Sequence, residues 1–308
     1  MVTVPVVDIS AYGLDVVNAK EVDTETVRPV ADSLCGALRD IGFCYIKNHG
    51  ISQSLINQVT AVSRTFFEKP LEYKNTYRRQ HISEIHGWIP RETETLNPDR
   101  PCDYKEAYNY TPIDGVECPS FEVTMKNVRA ACHQLSHRIL DLMSIGLDLE
   151  DKHFLRNCHQ TIGQKSNTST LRTIFYPSLL SDEEIKPNQI RCGEHSDFGS
   201  LTLLFQDDVG GLQVCNLQGE YVPASPIPGT ILINIGDLMQ RWTSDKLIAT
   251  KHRVVIPDEE IRKTKSRQSV AFFVVPDNDV VISCLDKSDK YEPISSVRYI
   301  QERLSPTY

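Results

Sequence analysis

The spacing of apolar residues divides the chain into a largely helical first half and a second half of short strands. Apolar side chains recur every three or four residues over positions 26–41, which predicts an amphipathic helix. A second helix is predicted to begin after Ser52, a good N-cap residue, and to reach Phe67. Residues 121–149 have similar spacing and predict one long helix or a pair of helices.

Short apolar runs separated by Gly, Pro, Asn and Asp dominate the chain after position 170. The predicted strands of this half are 171–176, 200–205, 212–214, 230–235, 251–256, 269–275 and 280–284. Two earlier strands are predicted at 4–9 and 43–47, and a last helix at 295–304. Many short, closely spaced strands favour a jelly roll or a barrel. We therefore expect a mixed α/β, β-rich chain whose helices pack on a β core.

Residues 81–119 lack a clear period and are rich in Pro, Asn, Asp and charged side chains. A stretch this long and polar is unusual as a simple connection between two elements. The pattern predicts an irregular loop region with a functional role.

Composition narrows the possible partners. The chain has 308 residues and a formal net charge of −8, which argues against nucleic acid or an anionic membrane as the partner. Its nine cysteines are odd in number and form no Cys-x-x-Cys motif, which favours reduced thiols in the cytoplasm. We expect no signal peptide and no transmembrane helix, because the required apolar runs are missing.

One triplet and one distant histidine carry the clearest chemistry. His195 and Asp197 are two positions apart in a segment with strand character, so a strand would point both side chains to one face. His252 opens another apolar run. Two histidines and one carboxylate are the ligands of non-haem Fe(II) oxygenases, and they leave metal positions open. The alternative is a core histidine beside an aspartate that caps a turn.

A second pattern suggests an anion site close to these residues. Arg267 and Ser269 also lie two positions apart on a predicted strand, and a guanidinium fork with a hydroxyl suits a carboxylate. The alternative is a solvated charge beside Lys263 and Lys265. The segment between His252 and Arg267 is long and predicts an enlarged hairpin turn at 257–266.

Together these motifs resemble those of the Fe(II)/2-oxoglutarate-dependent dioxygenases of the isopenicillin N synthase-like family. The resemblance extends over nearly the whole chain, through stretches at 4–10, 42–51, 66–70, 103–106 and 176–177. It implies a double-stranded β-helix (jelly-roll) core with packed N-terminal helices. It also implies a single oxygenase unit over 1–308, with an N-terminal helical and strand region at 1–120. The jelly-roll core, with the metal and 2-oxoglutarate sites, is expected at about 165–285.

The resemblance also implies an activity and its site. Fe(II) would be held by His195, Asp197 and His252, which are the expected catalytic residues. The distal carboxylate of 2-oxoglutarate would be held by Arg267, Ser269 and Tyr176. Such an enzyme uses O2, with ascorbate as reductant in vitro, and oxidises an unactivated C–H bond by hydroxylation, desaturation or ring closure, giving succinate and CO2. Many relatives have an asparagine two positions before the tyrosine, whereas this chain has Ile174.

Candidate substrate residues are Phe273, Arg91, Tyr108 and Arg172. The first follows the arginine motif at a spacing that resembles a pocket residue of the family, and two arginines in one pocket would favour an anionic substrate. A small molecule is the expected partner, nucleic acid and membrane are not, and the chain is expected to be a monomer.

Two other functions are consistent with the same sequence. A family member similar to aminocyclopropane-carboxylate oxidase would use O2 and iron without 2-oxoglutarate, and it would still have an Arg-x-Ser motif. A non-catalytic jelly-roll binding protein would have no need for both an open metal site and an anion anchor. Succinate formation tied to O2 uptake distinguishes the first alternative, and metal analysis with an O2-consumption assay distinguishes the second.

Overall fold

The structure is a computed structural model that describes residues 3–81, 84–111, 121–179, 185–256 and 264–304. The α-helices within these ranges are α1 (Thr24–Asp40), α2 (Gln53–Phe67), α3 (Leu71–Asn75), α4 (Glu122–Gly146), α5 (Phe154–Asn157), α6 (Asp237–Trp242) and α7 (Ser296–Leu304). The first strands are β1 (Val6–Asp8), β2 (Phe43–Lys47), β3 (Gly87–Ile89), β4 (Glu106–Tyr110), β5 (Thr170–Tyr176), β6 (Cys192–His195) and β7 (Leu201–Gln206). The remaining strands are β8 (Leu212–Cys215), β9 (Tyr221–Pro223), β10 (Thr230–Ile235), β11 (His252–Val254), β12 (Arg267–Val274), β13 (Val281–Ile282) and β14 (Ile294–Ser295).

Two sheets form the β core. The larger has eight strands in the order β1-β2-β10-β7-β12-β5-β4-β3, and the smaller has four in the order β6-β11-β8-β9. Side chains of both sheets share one apolar cluster: Phe43, Tyr45, Tyr176 and Leu232 from the larger sheet, and Cys192, Leu212, Val214 and Val254 from the smaller. The sheets therefore pack face to face, as expected for a jelly roll.

Strand β2 shows how one strand serves two layers. Phe43 and Tyr45 belong to the cluster between the sheets, whereas Cys44 and Ile46 belong to the cluster that contains the helices. This alternation follows from the two-residue period of a strand. Leu34 of α1 and Leu140 of α4 are fully buried in the same helical cluster. The helices thus cover the outer face of the large sheet, and its inner face packs against the small sheet.

The predicted helices are confirmed with small shifts of their ends. The prediction of Ser52 as an N-cap is also confirmed, because its hydroxyl accepts a hydrogen bond from the amide of Leu55 at 3.3 Å. The strands predicted after position 170 are all present, most of them shorter or shifted by a residue or two.

The prediction of an irregular stretch at 81–119 is wrong in part. Strands β3 and β4 lie within it and pair with each other, and β4 also pairs with β5. Their side chains include Trp88, Glu106 and Tyr108, which are buried although the local sequence is polar. Tertiary pairing decided the structure here against the local pattern. Residues 82–83 and 112–119 of this stretch, and 257–263 of the enlarged turn, lie outside the described residues.

The sequence predicts no transmembrane helix and predicts reduced cysteines. Within the described ranges, no helix is both long enough and apolar enough to cross a bilayer. The eight cysteines in these ranges carry free thiols.

Candidate metal centre and adjoining cavities

Three side chains meet at one end of the small sheet. His195, the last residue of β6, lies directly opposite His252, the first residue of β11, in the antiparallel pairing of these strands. Asp197 lies two residues after the end of β6, and its Oδ1 is 3.8 Å from Nε2 of each histidine. All three ligand atoms lie within 4.8 Å of one another. The three residues come together as predicted, but the strand geometry assumed for the triplet is wrong, because β6 ends before Asp197.

Hydrogen bonds fix which atom each side chain presents. Nδ1 of His195 donates to the carbonyl of Gly193 at 2.7 Å, and Nδ1 of His252 donates to the carbonyl of Thr250 at 3.1 Å. A carbonyl only accepts, so each proton is on Nδ1 and each Nε2 lone pair faces the centre. This is the usual arrangement of histidines that bind a metal.

The two carboxylate oxygens of Asp197 also have different roles. Its Oδ2 accepts hydrogen bonds from the hydroxyl of Thr202 at 2.6 Å and from the amide of Asn234 at 2.7 Å. Its Oδ1 is left for the centre. Neither Thr202 nor Asn234 was predicted from the sequence. The only signal in the sequence was a polar residue in the interior of each of two otherwise largely apolar runs.

The charge state also suits a divalent metal. Burial, together with the nearby His252, lowers the pKa of His195 to about 3, so the imidazole is neutral at physiological pH. Burial opposes the charge of Asp197, but the two histidines and the hydrogen bonds from Asn234 and Thr202 hold its pKa below the usual range. Two imidazoles that present Nε2 and one carboxylate fit Fe(II) in a site with open positions.

An anion anchor shares a cavity with the three ligands. The walls of this cavity include His195, Asp197, His252, Tyr176, Arg267 and Ser269. Arg267 is only 1 % exposed, and its guanidinium donates to Gln206 Oε1 at 3.1 Å and to Ser269 Oγ at 3.4 Å. It lies 4.8 Å from the ring centre of Tyr176, its cross-strand neighbour. Burial raises the pKa of Tyr176, so its hydroxyl remains a donor.

The guanidinium of Arg267 has unused hydrogen-bonding capacity. Among the described residues, its Nε has no hydrogen-bond partner, although the carboxyl of Asp207 interacts with it electrostatically. A buried guanidinium with an unsatisfied N–H group is costly, and a carboxylate in the cavity would relieve that cost. The alternative reading of Arg267 as a solvated charge does not agree with its burial.

A second, larger cavity also borders the metal residues. Its walls include His195 and Asp197, the charged or polar residues Arg79, Glu84, Glu94, Asn109, Thr168, Thr170 and Arg172, and the apolar residues Ile85, Leu96, Phe198, Phe273, Val275, Ile300 and Leu304. Arg172 and Phe273, two of the candidate substrate residues, therefore reach this cavity. Arg172 forms an ion pair with Glu94, a residue that sequence reasoning missed.

The other two candidate substrate residues have different surroundings. Tyr108 is buried, with its hydroxyl 3.0 Å from Nε2 of His86 and its ring in edge contact with Phe66. Arg91 lies against the ring of Tyr104. Neither Tyr108 nor Arg91 is among the described residues that line the second cavity.

Two family profiles together match most of the chain. Residues 158–276 match the 2OG-Fe(II) oxygenase superfamily, and residues 4–135 match the N-terminal profile described as non-haem dioxygenase in morphine synthesis.

Curated relatives and solved structures agree with these profiles. A 2-oxoglutarate-Fe(II) type oxidoreductase of Metarhizium majus is 33 % identical, over 89 % of this chain and 88 % of the relative. A proline hydroxylase of Petromyces alliaceus is 33 % identical, over 89 % and 92 %. A full-length Neurospora crassa protein solved with α-ketoglutarate (2-oxoglutarate) superposes with a TM-score of 0.86 at 29 % identity, over 99 % of this chain and 96 % of that chain.

These likenesses confirm the predicted jelly-roll fold and the predicted class of enzyme. The chain is a 2-oxoglutarate-dependent dioxygenase that uses Fe(II), 2-oxoglutarate and O2 to oxidise a small molecule. It belongs to the 2-oxoglutarate–Fe(II) oxygenase superfamily.

Proposed function

We propose that His195, Asp197 and His252 hold the Fe(II) of this enzyme. The convergence of two Nε2 atoms and one Oδ1 supports this assignment, since the remaining Nδ1 and Oδ2 atoms are already hydrogen-bonded. When bound, the iron supplies the oxidising chemistry, and the protein supplies placement and the exclusion of water.

Arg267, Ser269 and Tyr176 are proposed to bind the distal carboxylate of 2-oxoglutarate. The single observation that carries the proposal is the cavity that joins this buried guanidinium to the three metal residues. Gln206 orients the fork from one side, and Ser269 adds a hydroxyl on the other. A bidentate, charge-assisted contact of this kind fixes one end of the cosubstrate, so that its keto-acid end faces the iron.

The second cavity is the proposed substrate site, with Arg172 on its polar wall and Phe273 on its apolar wall. Two arginines, Arg79 and Arg172, reach this cavity, but so do two carboxylates, Glu84 and Glu94, and Glu94 forms an ion pair with Arg172. Equal numbers of opposite charges on the walls favour a neutral or zwitterionic substrate over an anionic one. A small polar molecule with one apolar face matches these walls. Relatives of similar fold act on or bind such molecules: one is named a proline hydroxylase, and the Neurospora crassa protein was solved with thymine.

The proposal also covers the organisation of the chain. Strands from the first 110 residues belong to the same sheet as β7 and β12, which supports a single oxygenase unit with its jelly-roll core at about 165–285. Free thiols on the described cysteines support a cytoplasmic location. We propose that the enzyme acts as a monomer.

The experiment is a turnover assay with Fe(II), ascorbate, 2-oxoglutarate and labelled O2. A panel of cyclic amino acids, basic amino acids and pyrimidine bases is offered, and succinate and mass-shifted products are measured together. We expect one class to raise succinate formation and to yield a product that contains label or has lost two hydrogens. The assignment fails if the Asp197→Ala variant turns over as the wild type does.

A further inference from the structure

Strand β6, which ends at the proposed iron ligand His195, is held by strand pairing on one side only. It is the first strand of the four-stranded sheet, so it pairs with β11 alone, and the register between them shifts between His252 and Val254. An edge strand with irregular pairing leaves backbone groups without a strand partner. His195 is the last residue of this strand, so its position depends on whatever else holds β6.

At this edge of the sheet, the side chain of Asp103 supplies a hydrogen-bond acceptor that a neighbouring strand would otherwise supply. Its Oδ1 accepts a hydrogen bond from the backbone amide of Gly193 at 2.8 Å. The carbonyl of the same glycine accepts the Nδ1 proton of His195 at 2.7 Å. The buried carboxylate of Asp103 is thus linked to the imidazole of His195 by two hydrogen bonds, one to each side of the Gly193 backbone.

Gly193 is closely packed against the chain that carries Asp103. A Cβ added to Gly193 would lie 3.0 Å from the Cβ of Asn97 and 3.3 Å from Oδ1 of Asp103. The next residue, Glu194, accepts hydrogen bonds from Arg100 at 2.6 and 2.7 Å. The 94–105 segment therefore lies along β6 and makes contact at two consecutive residues.

Asp103 is itself held on both its backbone and its side chain. Its amide donates to the carbonyl of Glu94 at 2.9 Å. Its Oδ2 pairs with Lys105, which also lies 3.3 Å from Glu94, and Glu94 pairs with Arg172. Burial opposes the charge of Lys105, but the acidic groups around it, Cys192, Asp103 and Glu94, raise its pKa above the usual range. Four charges of alternating sign, three of them buried and that of Arg172 half-buried, thus run from the edge of β6 to the second cavity.

We propose that Asp103 is a positioning residue for the metal site: through the backbone of Gly193 it holds His195 in the orientation that presents Nε2 to the metal. The row Asp103–Lys105–Glu94–Arg172 anchors this carboxylate to the wall of the second cavity. The inference rests on the proposed function only in that His195 is taken as a metal ligand.

The test is metal affinity, measured by anaerobic titration with Fe(II) and, in parallel, with Mn²⁺. Asp103→Ala removes the acceptor for the Gly193 amide, and we expect the affinity to fall by roughly 10- to 100-fold, the usual effect of losing a group that orients a ligand. Asp103→Asn keeps an oxygen at the same place, and we expect its affinity to stay within about threefold of the wild type. The visible absorbance of the Fe(II)–2-oxoglutarate chelate should weaken in the same order.

A second variant guards against a folding defect. Asp103→Leu combined with Lys105→Met removes the ion pair as a unit and leaves Glu94 paired with Arg172, so no buried charge lacks a partner. It still offers no acceptor to Gly193, and we expect the same loss of affinity as for Asp103→Ala. Glu92→Gln is the control just before this segment, because Glu92 contacts only Lys186 and Gln189 in the hydrogen bonds described for it.

The outcomes separate this inference from the proposed function. If the wild type and Glu92→Gln bind Fe(II) tightly and the double variant binds it equally well, the role of Asp103 is refuted and the metal site stands. Equal weakening in Asp103→Asn and Asp103→Ala would also refute it, since the hydrogen bond would then be irrelevant. If the wild type binds no metal at all, the ligand assignment itself fails.

Discussion

His195 and His252 face each other across two antiparallel strands, with their ring centres 4.3 Å apart. The pairing brings two imidazoles that are far apart in the sequence to one side of Asp197. Replacing either histidine by alanine removes one of the three proposed ligands, and we expect succinate formation to be abolished and metal affinity to fall steeply. Succinate release and metal content after anaerobic loading measure the two effects.

His81→Ala is the matched control for these variants, because the side chain of His81 is exposed and His81 is not among the described residues that line either cavity. It should retain wild-type turnover and metal content. Turnover at the wild-type level in either ligand variant would contradict the assignment of that histidine.

Asn234 is expected to tune the metal site without touching the metal. Its amide holds Oδ2 of Asp197 at 2.7 Å, and it is buried in β10. Asn234→Ala should weaken metal binding by roughly 10-fold or more, because the carboxylate loses one of the two groups that orient it. Asn157→Ala, which removes an exposed amide bonded to Asp151, should leave the affinity unchanged. An unchanged affinity in Asn234→Ala would show that Thr202 orients the carboxylate alone.

The residue types at the site were easier to predict than the structural details that bring them together. The ligands and Arg267 have chemistry that few other folds require in this order, so they stood out in the sequence. The end of β6 before Asp197 did not, because a continuing strand and a strand end have the same local pattern. The geometry of the triplet depends on the hydrogen bond from the amide of Asp237 to the carbonyl of Asp197, a contact made by a helix 40 residues later.

The polar residues around the site were missed for a related physical reason. Asp103, Glu94 and Lys105 are charged, and charged residues are mostly exposed, so a charged stretch predicts a loop in solvent. Here each charge is buried because another one neutralises it. Such pairing depends on contacts between elements that are distant in the sequence, so the spacing of apolar and polar residues along the chain does not predict it.

Arg267 should govern the affinity for 2-oxoglutarate. Truncating one partner of a buried, hydrogen-bonded charge pair costs about 2–5 kcal/mol, so Arg267→Gln should raise the dissociation constant by roughly 30-fold or more. Arg267→Lys keeps the charge but loses the planar fork, and its affinity should fall between those of the wild type and the glutamine variant. Binding is measured by titrating 2-oxoglutarate into the anaerobic Fe(II) enzyme.

The neighbouring Lys265 provides the control for charge alone. It is exposed, so Lys265→Gln removes one positive charge two residues from Arg267 without opening the cavity. Its affinity for 2-oxoglutarate should match that of the wild type. Equal affinities in Arg267→Gln and the wild type would mean that the anion is held elsewhere.

His159 makes the stability of the fold depend on pH. It is fully buried, its Nδ1 donates to the carbonyl of Leu155 at 2.6 Å, and its Nε2 accepts from the hydroxyl of Ser200 at 2.8 Å. The bond from Ser200 needs the neutral ring, because a protonated Nε2 cannot accept a hydrogen bond. Burial lowers its pKa from 6.5 to about 4, so folding favours the neutral form. Its contribution is complete above pH 6.5 and is lost as the pH falls towards 4, a change on the order of 3 kcal/mol.

Urea unfolding of the metal-free protein at several pH values between 7.5 and 4 measures this dependence. The free energy of unfolding of the wild type should fall over this range, partly because His159 must take up a proton on unfolding. In His159→Gln, which is less stable at pH 7.5, the fall should be shallower by about the contribution of one such group. His81→Ala keeps the buried ring and should have the wild-type slope. Parallel curves for His159→Gln and the wild type would show that the buried imidazole does not set this part of the acid sensitivity.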